Sequence, residues 1–392
     1  MDFGAKADGV SDDTKALQRA IISTNSGILN FPAGTYLVSA TLNLLSNVTY
    51  SSSAGAKLLT ASGTPILALP GASPSGITIS GLTFDGGGVT AQGWAASNIN
   101  ITGNTFQNIT AGSGNWTFRS AIFSSGGFRN SSIDHNSFKN VLPGGSTRPD
   151  GTVASIEQVN AGIQVFGLDS SSIDHNSFDL VGEGIRICFS QSYASNNVYI
   201  GHNVMTGIHR MGIEIQGAIG CGASQPAING PDTNNIVIEN NSITDFKDPF
   251  WDSFGISYAN PAPYGGNGGI IRNNLIVVGE TFYWQQQGPS GNYAAGIEAA
   301  GAGLEVYSNV TAGYAEQGIT IDGAPGAQIH DNYSCALGAG AQMGVGQETA
   351  PSPGANYYNN TVLTTCPAVL PSVSESRPGM RELRPATSVA AG

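Results

Sequence analysis

The feature that most constrains this chain is a short segment that recurs along it: a glycine, an isoleucine, one variable residue and then a mostly apolar pair. Gly212-Ile213-Glu214-Ile215-Gln216 is one copy. Gly162-Ile163-Gln164-Val165-Phe166, Gly184-Ile185-Arg186-Ile187-Cys188, Gly255-Ile256-Ser257-Tyr258-Ala259, Gly296-Ile297-Glu298-Ala299-Ala300 and Gly318-Ile319-Thr320-Ile321-Asp322 repeat it at intervals of 22 to 43 residues. Side chains alternate faces along a strand, so each isoleucine enters a core and the next residue faces out. Stacked copies predict one outward file, Gln164, Arg186, Glu214, Ser257, Glu298, Thr320, with Gln216 and Asp322 beside it.

A second period accompanies the first. Asn104, Asn136, Asn176, Asn203, Asn241, Asn274, Asn309, Asn332 and Asn360 recur at spacings of 23 to 40. Coils that cannot bury their apolar faces alone must stack, which makes the chain a solenoid with insertions. Asparagine tolerates left-handed backbone and bonds its own turn, so a ladder of it is expected at one corner. His135, His175, His202 and His330 fall beside that column, where a polar corner explains them; only His209, just before the Glu214 strand, stands outside the repeat.

A length of 392 residues would hold two or three ordinary domains, but the repeat argues for one elongated all-β unit. The expected organisation is a cap segment over 1–36, a parallel β-helix over 37–366, and an extended or disordered tail over 367–392. With 27 acidic and 15 basic residues the net charge is −12, which repels nucleic acid and anionic membranes and poorly suits a polyanionic substrate. A neutral or weakly charged partner fits better. No run of 18 apolar residues exists, so no membrane span is expected, and no basic-apolar leader precedes Phe3. Sequons such as Asn47, Asn108, Asn115, Asn309 and Asn332 agree with a secreted protein. Four cysteines pair most economically as Cys188–Cys221 and Cys335–Cys366. No metal or cofactor is called for by any motif.

Residues 1–36 carry Asp2-Phe3-Gly4-Ala5, Asp8-Gly9-Val10-Ser11-Asp12-Asp13-Thr14, Ala16-Leu17-Gln18, Ala20-Ile21 and Phe31-Pro32-Ala33-Gly34-Thr35-Tyr36. This segment resembles the N-terminus shared by the pectate-lyase-like superfamily of polygalacturonase-type glycoside hydrolases, β-1,3-glucanases, alginate epimerases and phage tailspikes. The resemblance implies a single-stranded right-handed parallel β-helix and a polysaccharide-related role. Independently of it, Ser11, Asp12 or Asp13 can cap a helix starting near Thr14, whose face of Ala16, Leu17, Ala20 and Ile21 would plug the open end of the solenoid. The polygalacturonase signature of Asn-Thr-Asp, paired Asp, Gly-His-Gly and Arg-Ile-Lys is absent, as is the epimerase signature Asp-Pro-His. No catalytic residue carries over.

Insertions locate a cleft. From the Asn corner to the next Gly-Ile strand short coils use eight or nine residues, but 241 to 255 takes 14 and 274 to 296 takes 22. On the other side, 29 residues separate Gly212 from Asn241. A sheet face between two such walls is a groove. Trp251, Asp252, Tyr283, Trp284 and Tyr293 lie in those walls; aromatic rings stack on sugar faces and polar neighbours bind hydroxyls, so these residues and Gln216 are candidate substrate contacts.

On the groove floor the candidate catalytic residues are Glu214, Glu298, Asp322, Arg186 and His209. Coils about 4.8 Å apart put Glu214 and Glu298, two coils apart, about 9 to 10 Å from one another. Asp322 would lie about 8 Å from Glu298. Inverting glycosidases hold acid and base about 6.5 to 9.5 Å apart, so any two of the three carboxylates fit. Arg186 is expected to keep Glu214 ionised, as base or substrate anchor. The reading favoured is a glycoside hydrolase. A polysaccharide lyase using Arg186, His209, Arg210 or Lys247 stays open, as does a tailspike-like protein that only binds glycan.

Overall fold

The computed structural model describes residues 3–60, 65–71, 73–92, 96–109, 120–142, 160–189, 195–217, 234–246, 252–260, 268–279, 294–315, 317–337, 343–347 and 351–373. Successive coils lay their strands into three parallel sheets of 13, 11 and 13 strands, each strand paired with its counterparts one coil before and after. The chain is a right-handed parallel β-helix, as the resemblance of its N-terminal segment implies, and its coils stack as the repeat predicts.

The register shows why the sequence repeats. Tyr50, Ile79, Ile101, Ile133, Ile173, Ile200, Ile238, Ile271, Val306 and Ile329 are direct partners from coil to coil and all are buried. On another wall Phe84, Phe106, Phe138 and Phe178 stack with ring centroids 4.6 to 5.1 Å apart. The isoleucines of the recurring segment, Ile163, Ile185, Ile213, Ile256, Ile297 and Ile319, form the third core column.

The glycine of the segment answers to packing. A Cβ on Gly184 would lie 2.4 Å from the carbonyl oxygen of Gly212, and one on Gly212 would lie 2.5 Å from that of Gly255. The chain turns a corner there with backbone against backbone, and no side chain fits.

All nine asparagines form one ladder. Each amide nitrogen from Asn104 to Asn332 donates to the Oδ1 of the next rung at 2.9 to 3.1 Å. The backbone N–H of each rung bonds the same oxygen. Asn203→Ala removes the acceptor of two buried donors on Asn176, so a loss of about 2 to 4 kcal/mol is expected. Hydrogen exchange of the flanking strands measures it; no local opening would show the ladder to be dispensable. His135, His175 and His202 stack at 4.9 and 4.8 Å on left-handed backbone next to this corner. Asp134 and Asp174 hold the Nδ1 atoms of the first two, so these histidines belong to the corner.

At the N-terminal end the helix Thr14–Thr24 buries Ala16, Leu17, Ala20 and Ile21 over the first coil. Asp12 Oδ1 accepts from the Thr14 N–H at 3.0 Å, while the Asp13 carboxylate turns back to the N–H groups of Lys6 and Ala7. Of the two disulfides expected, Cys335–Cys366 is present and ties the end of the last coil to the one beneath. Cys188 is disulfide-bonded, and Cys221 lies outside the described residues. Among the described residues no helix is long and apolar enough to cross a membrane.

Candidate active site

The expected outward file exists on the 11-stranded sheet. Gln164, Arg186, Glu214, Ser257, Glu298 and Thr320 are successive register partners, so Glu214 and Glu298 stand two coils apart. Its exposure is uneven. Gln164, Glu214, Ser257 and Thr320 are buried, whereas Arg186 and Glu298 are partly exposed.

Around Glu214 four charges form a ring among the described residues. Glu183, fully buried, meets Arg210 Nη1 at 2.9 Å and Arg186 Nη1 at 3.3 Å. Glu214, 1% exposed, meets Arg186 Nε at 2.8 Å and Arg210 Nη1 at 3.6 Å. The Arg186–Glu214 approach is close in distance but lacks the alignment of a hydrogen bond. Arg186 Nη2 also donates to Gln216 Oε1 at 3.0 Å. Among the described residues two carboxylates and two guanidiniums alternate, so each of these charges has opposite neighbours. Burial nevertheless pushes the Glu214 carboxyl above its ordinary value; Arg186 opposes the rise, Glu183 adds to it, and Arg210 opposes it further. Arg186 therefore pairs with Glu214 as expected, but desolvation outweighs the pairing.

Glu183 has no place in the expected site, for a definite reason. Strict alternation from Ile185 would turn it inward. At the glycine corner two successive positions, Gly184 and Ile185, both face the core, which returns Glu183 to the outer face. The same reversal puts Met211, Phe254 and Ala295 in a small cluster outside the main core. One available signal was that Glu183 is the lone charged residue immediately before a Gly-Ile pair.

His209 is 2% exposed, beside this ring. Burial lowers its pKa to about 4, with Glu183 opposing the shift and Arg210 reinforcing it. The unfolded chain takes up this proton near the ordinary value of 6.5, so the neutral imidazole stabilises the fold fully above that pH. That contribution is lost as pH falls towards about 4. Glu214 acts in the opposite sense, since its raised pKa favours the fold at low pH and its contribution fades as pH rises above 4.5. His209→Gln is expected to remove about 3 kcal/mol of acid sensitivity between pH 7 and 4, read as the difference between wild-type and variant stability at the two values. Parallel pH profiles would exclude His209 as the source.

Glu298, partly exposed, stands two coils beyond Glu214 along the file. Ser257 Oγ donates to Glu298 Oε2 at 2.5 Å from the coil before. Asp322, partly exposed, follows the strand Gln317–Ile321 one coil beyond, and its N–H bonds Ala299 O at 3.2 Å. Asp252 is exposed one residue before the strand Ser253–Asn260, at the opposite edge of the sheet from Asp322. The other wall residues predicted to touch substrate, Trp251, Tyr283, Trp284 and Tyr293, lie outside the described residues, as does Lys247. Among the described residues no group of three or more His, Cys, Asp or Glu side chains is arranged to hold a metal ion.

Two partly exposed carboxylates thus stand on adjacent coils beyond the four-charge ring, and carboxylates so placed are groups that can give and take protons. Solved structures share this architecture at low identity. A mutant tailspike protein of E. coli bacteriophage HK620 in complex with a hexasaccharide is 16% identical, with a TM-score of 0.60, covering 91% of this chain and 63% of the tailspike chain. The Dettilon tailspike gp208 is 15% identical with a TM-score of 0.57, covering 88% of this chain and 66% of its own. PfbA, a surface adhesin of Streptococcus pneumoniae, is 17% identical with a TM-score of 0.52, covering 92% of this chain and 90% of the adhesin. These likenesses are of fold. No curated protein matches the chain. Residues 1–271 match the family model of rhamnogalacturonase A/epimerase, pectate lyase-like proteins, and the chain belongs to that carbohydrate-active family.

Proposed function

We propose that this protein is a secreted glycoside hydrolase that cleaves a neutral or weakly charged polysaccharide or oligosaccharide, with Glu298 and Asp322 as its acid–base pair. The observation that carries this reading is the contrast within the file. Glu214 is sealed and held between two guanidiniums, while Glu298 and Asp322 keep solvent access on neighbouring coils. One coil step and two residues along the strand correspond to about 8 Å, within the range of about 6.5 to 9.5 Å that leaves room for an attacking water.

The roles follow from the partners. The Ser257 hydroxyl donates to Glu298 Oε2 and holds that carboxylate in place, and Glu298 is read as the base. Glu298 takes a proton from water as the water oxygen bonds to the anomeric carbon; Asp322 gives its proton to the departing glycosidic oxygen. Family membership and the hexasaccharide bound by the HK620 tailspike support a saccharide ligand.

The test is a panel of polysaccharides scored both for new reducing ends and for the absorbance of unsaturated uronate. Reducing ends without that absorbance are expected. Absorbance would reassign the chemistry to β-elimination, and saturable binding without turnover would make the protein a glycan-binding module.

A further inference from the structure

The two ends of the solenoid differ. At the N-terminal end Leu17 and Ile21 of the helix cover the core. At the other end two of the three core columns finish, among the described residues, on exposed side chains. Ile329, fully buried, has Tyr357 as its partner in the last coil, and Tyr357 is 40% exposed. Ser334, also fully buried, has Val362 as its partner, and Val362 is 46% exposed. Every residue of the strands Asn356–Tyr358 and Thr361–Leu363 is exposed, and both are the outermost strands of their sheets. Tyr358, 45% exposed, ends the described parallel ring stack with Tyr307 and His330, 4.7 Å from the imidazole. A solenoid end of this kind needs a cover.

We infer that this end docks against the same end of a second copy of the chain, forming a two-fold dimer. Charge selects that occupant. The chain has a net charge of −12, yet residues 351–373 contain no Asp, Glu, Lys, Arg or His, so two such ends meet without like-charge repulsion. The opposite end exposes Asp8, Asp12, Lys15 and Arg19 and is already plugged, which disfavours head-to-tail stacking. Residues 374–392 carry Glu375, Arg377, Arg381, Glu382 and Arg384 together with Pro378 and Pro385, a poor composition for covering an apolar end. A two-fold interface is self-complementary, so one uncharged patch serves both partners. The Cys335–Cys366 disulfide and the Cys366 N–H to Ala336 O bond fasten the last coil, leaving little to order on docking.

Sedimentation equilibrium of the full chain over a range of concentrations tests this. The mass is expected to rise from one chain to two. Val362→Asp is expected to stay at one chain mass, and Val362→Ser, which repeats the residue beneath it, to weaken association while keeping the fold shown by circular dichroism. Hydrogen exchange over 356–363 is expected to slow as concentration rises. A single-chain mass throughout, association as strong in both variants as in the wild type, or protection of 356–363 independent of concentration would each overturn the inference; the last would mean that another part of the same chain covers this end.

Discussion

Glu298→Gln and Asp322→Asn are each expected to lower kcat by about 10² to 10⁴-fold while leaving KM within a few-fold of wild type. Each substitution removes a proton-transfer group and keeps the shape of the side chain, so loss at constant KM reports chemistry. Ser257→Ala is expected to cost less, since it removes only the hydroxyl that positions the Glu298 carboxylate. The profile of kcat/KM against pH should lose one limb in each carboxylate variant. Full activity in both single variants on a substrate turned over by the wild type would move the acid–base pair elsewhere on the sheet.

Arg210→Met is expected to destabilise the middle coils by about 3 to 5 kcal/mol, because it strands a charge on the fully buried Glu183. Arg186 remains 3.3 Å from Glu183, but it is shared with Glu214 and Gln216. Adding Glu183→Gln to the same chain removes the stranded charge and should recover most of the loss, a coupling that a solvated surface ladder would not show. Repeat proteins need not unfold in one step, so the measurement is hydrogen exchange in the strands Glu183–Phe189 and Met211–Gly217. Equal and additive costs of the two substitutions would make the four charges independent.

Much of this molecule was legible in its sequence. Alternation about each Gly-Ile pair placed Gln164, Arg186, Glu214, Ser257, Glu298 and Thr320 in one file, and the register agrees rung by rung. The nine asparagines, the capping helix and the Cys335–Cys366 bond were also legible, because each is local or repeats with the coil. Two features of the candidate site were not. Glu183 was hidden by the same alternation that revealed its neighbours, since the glycine corner breaks the two-residue period just where it stands. The difference between Glu214 and Glu298 was hidden as well: both follow Gly-Ile, yet one is buried between two arginines and the other keeps solvent access.

The repeat by itself therefore determined the stacking of the coils and the order of residues along each face, because a parallel coil returns every side chain to the same azimuth as its counterpart one turn before. Only the tertiary structure decided which of those residues meet water. Solvent access and the pairing of charges depend on what packs above a position and on how the chain bends into its strand, and neither is a periodic property of the sequence.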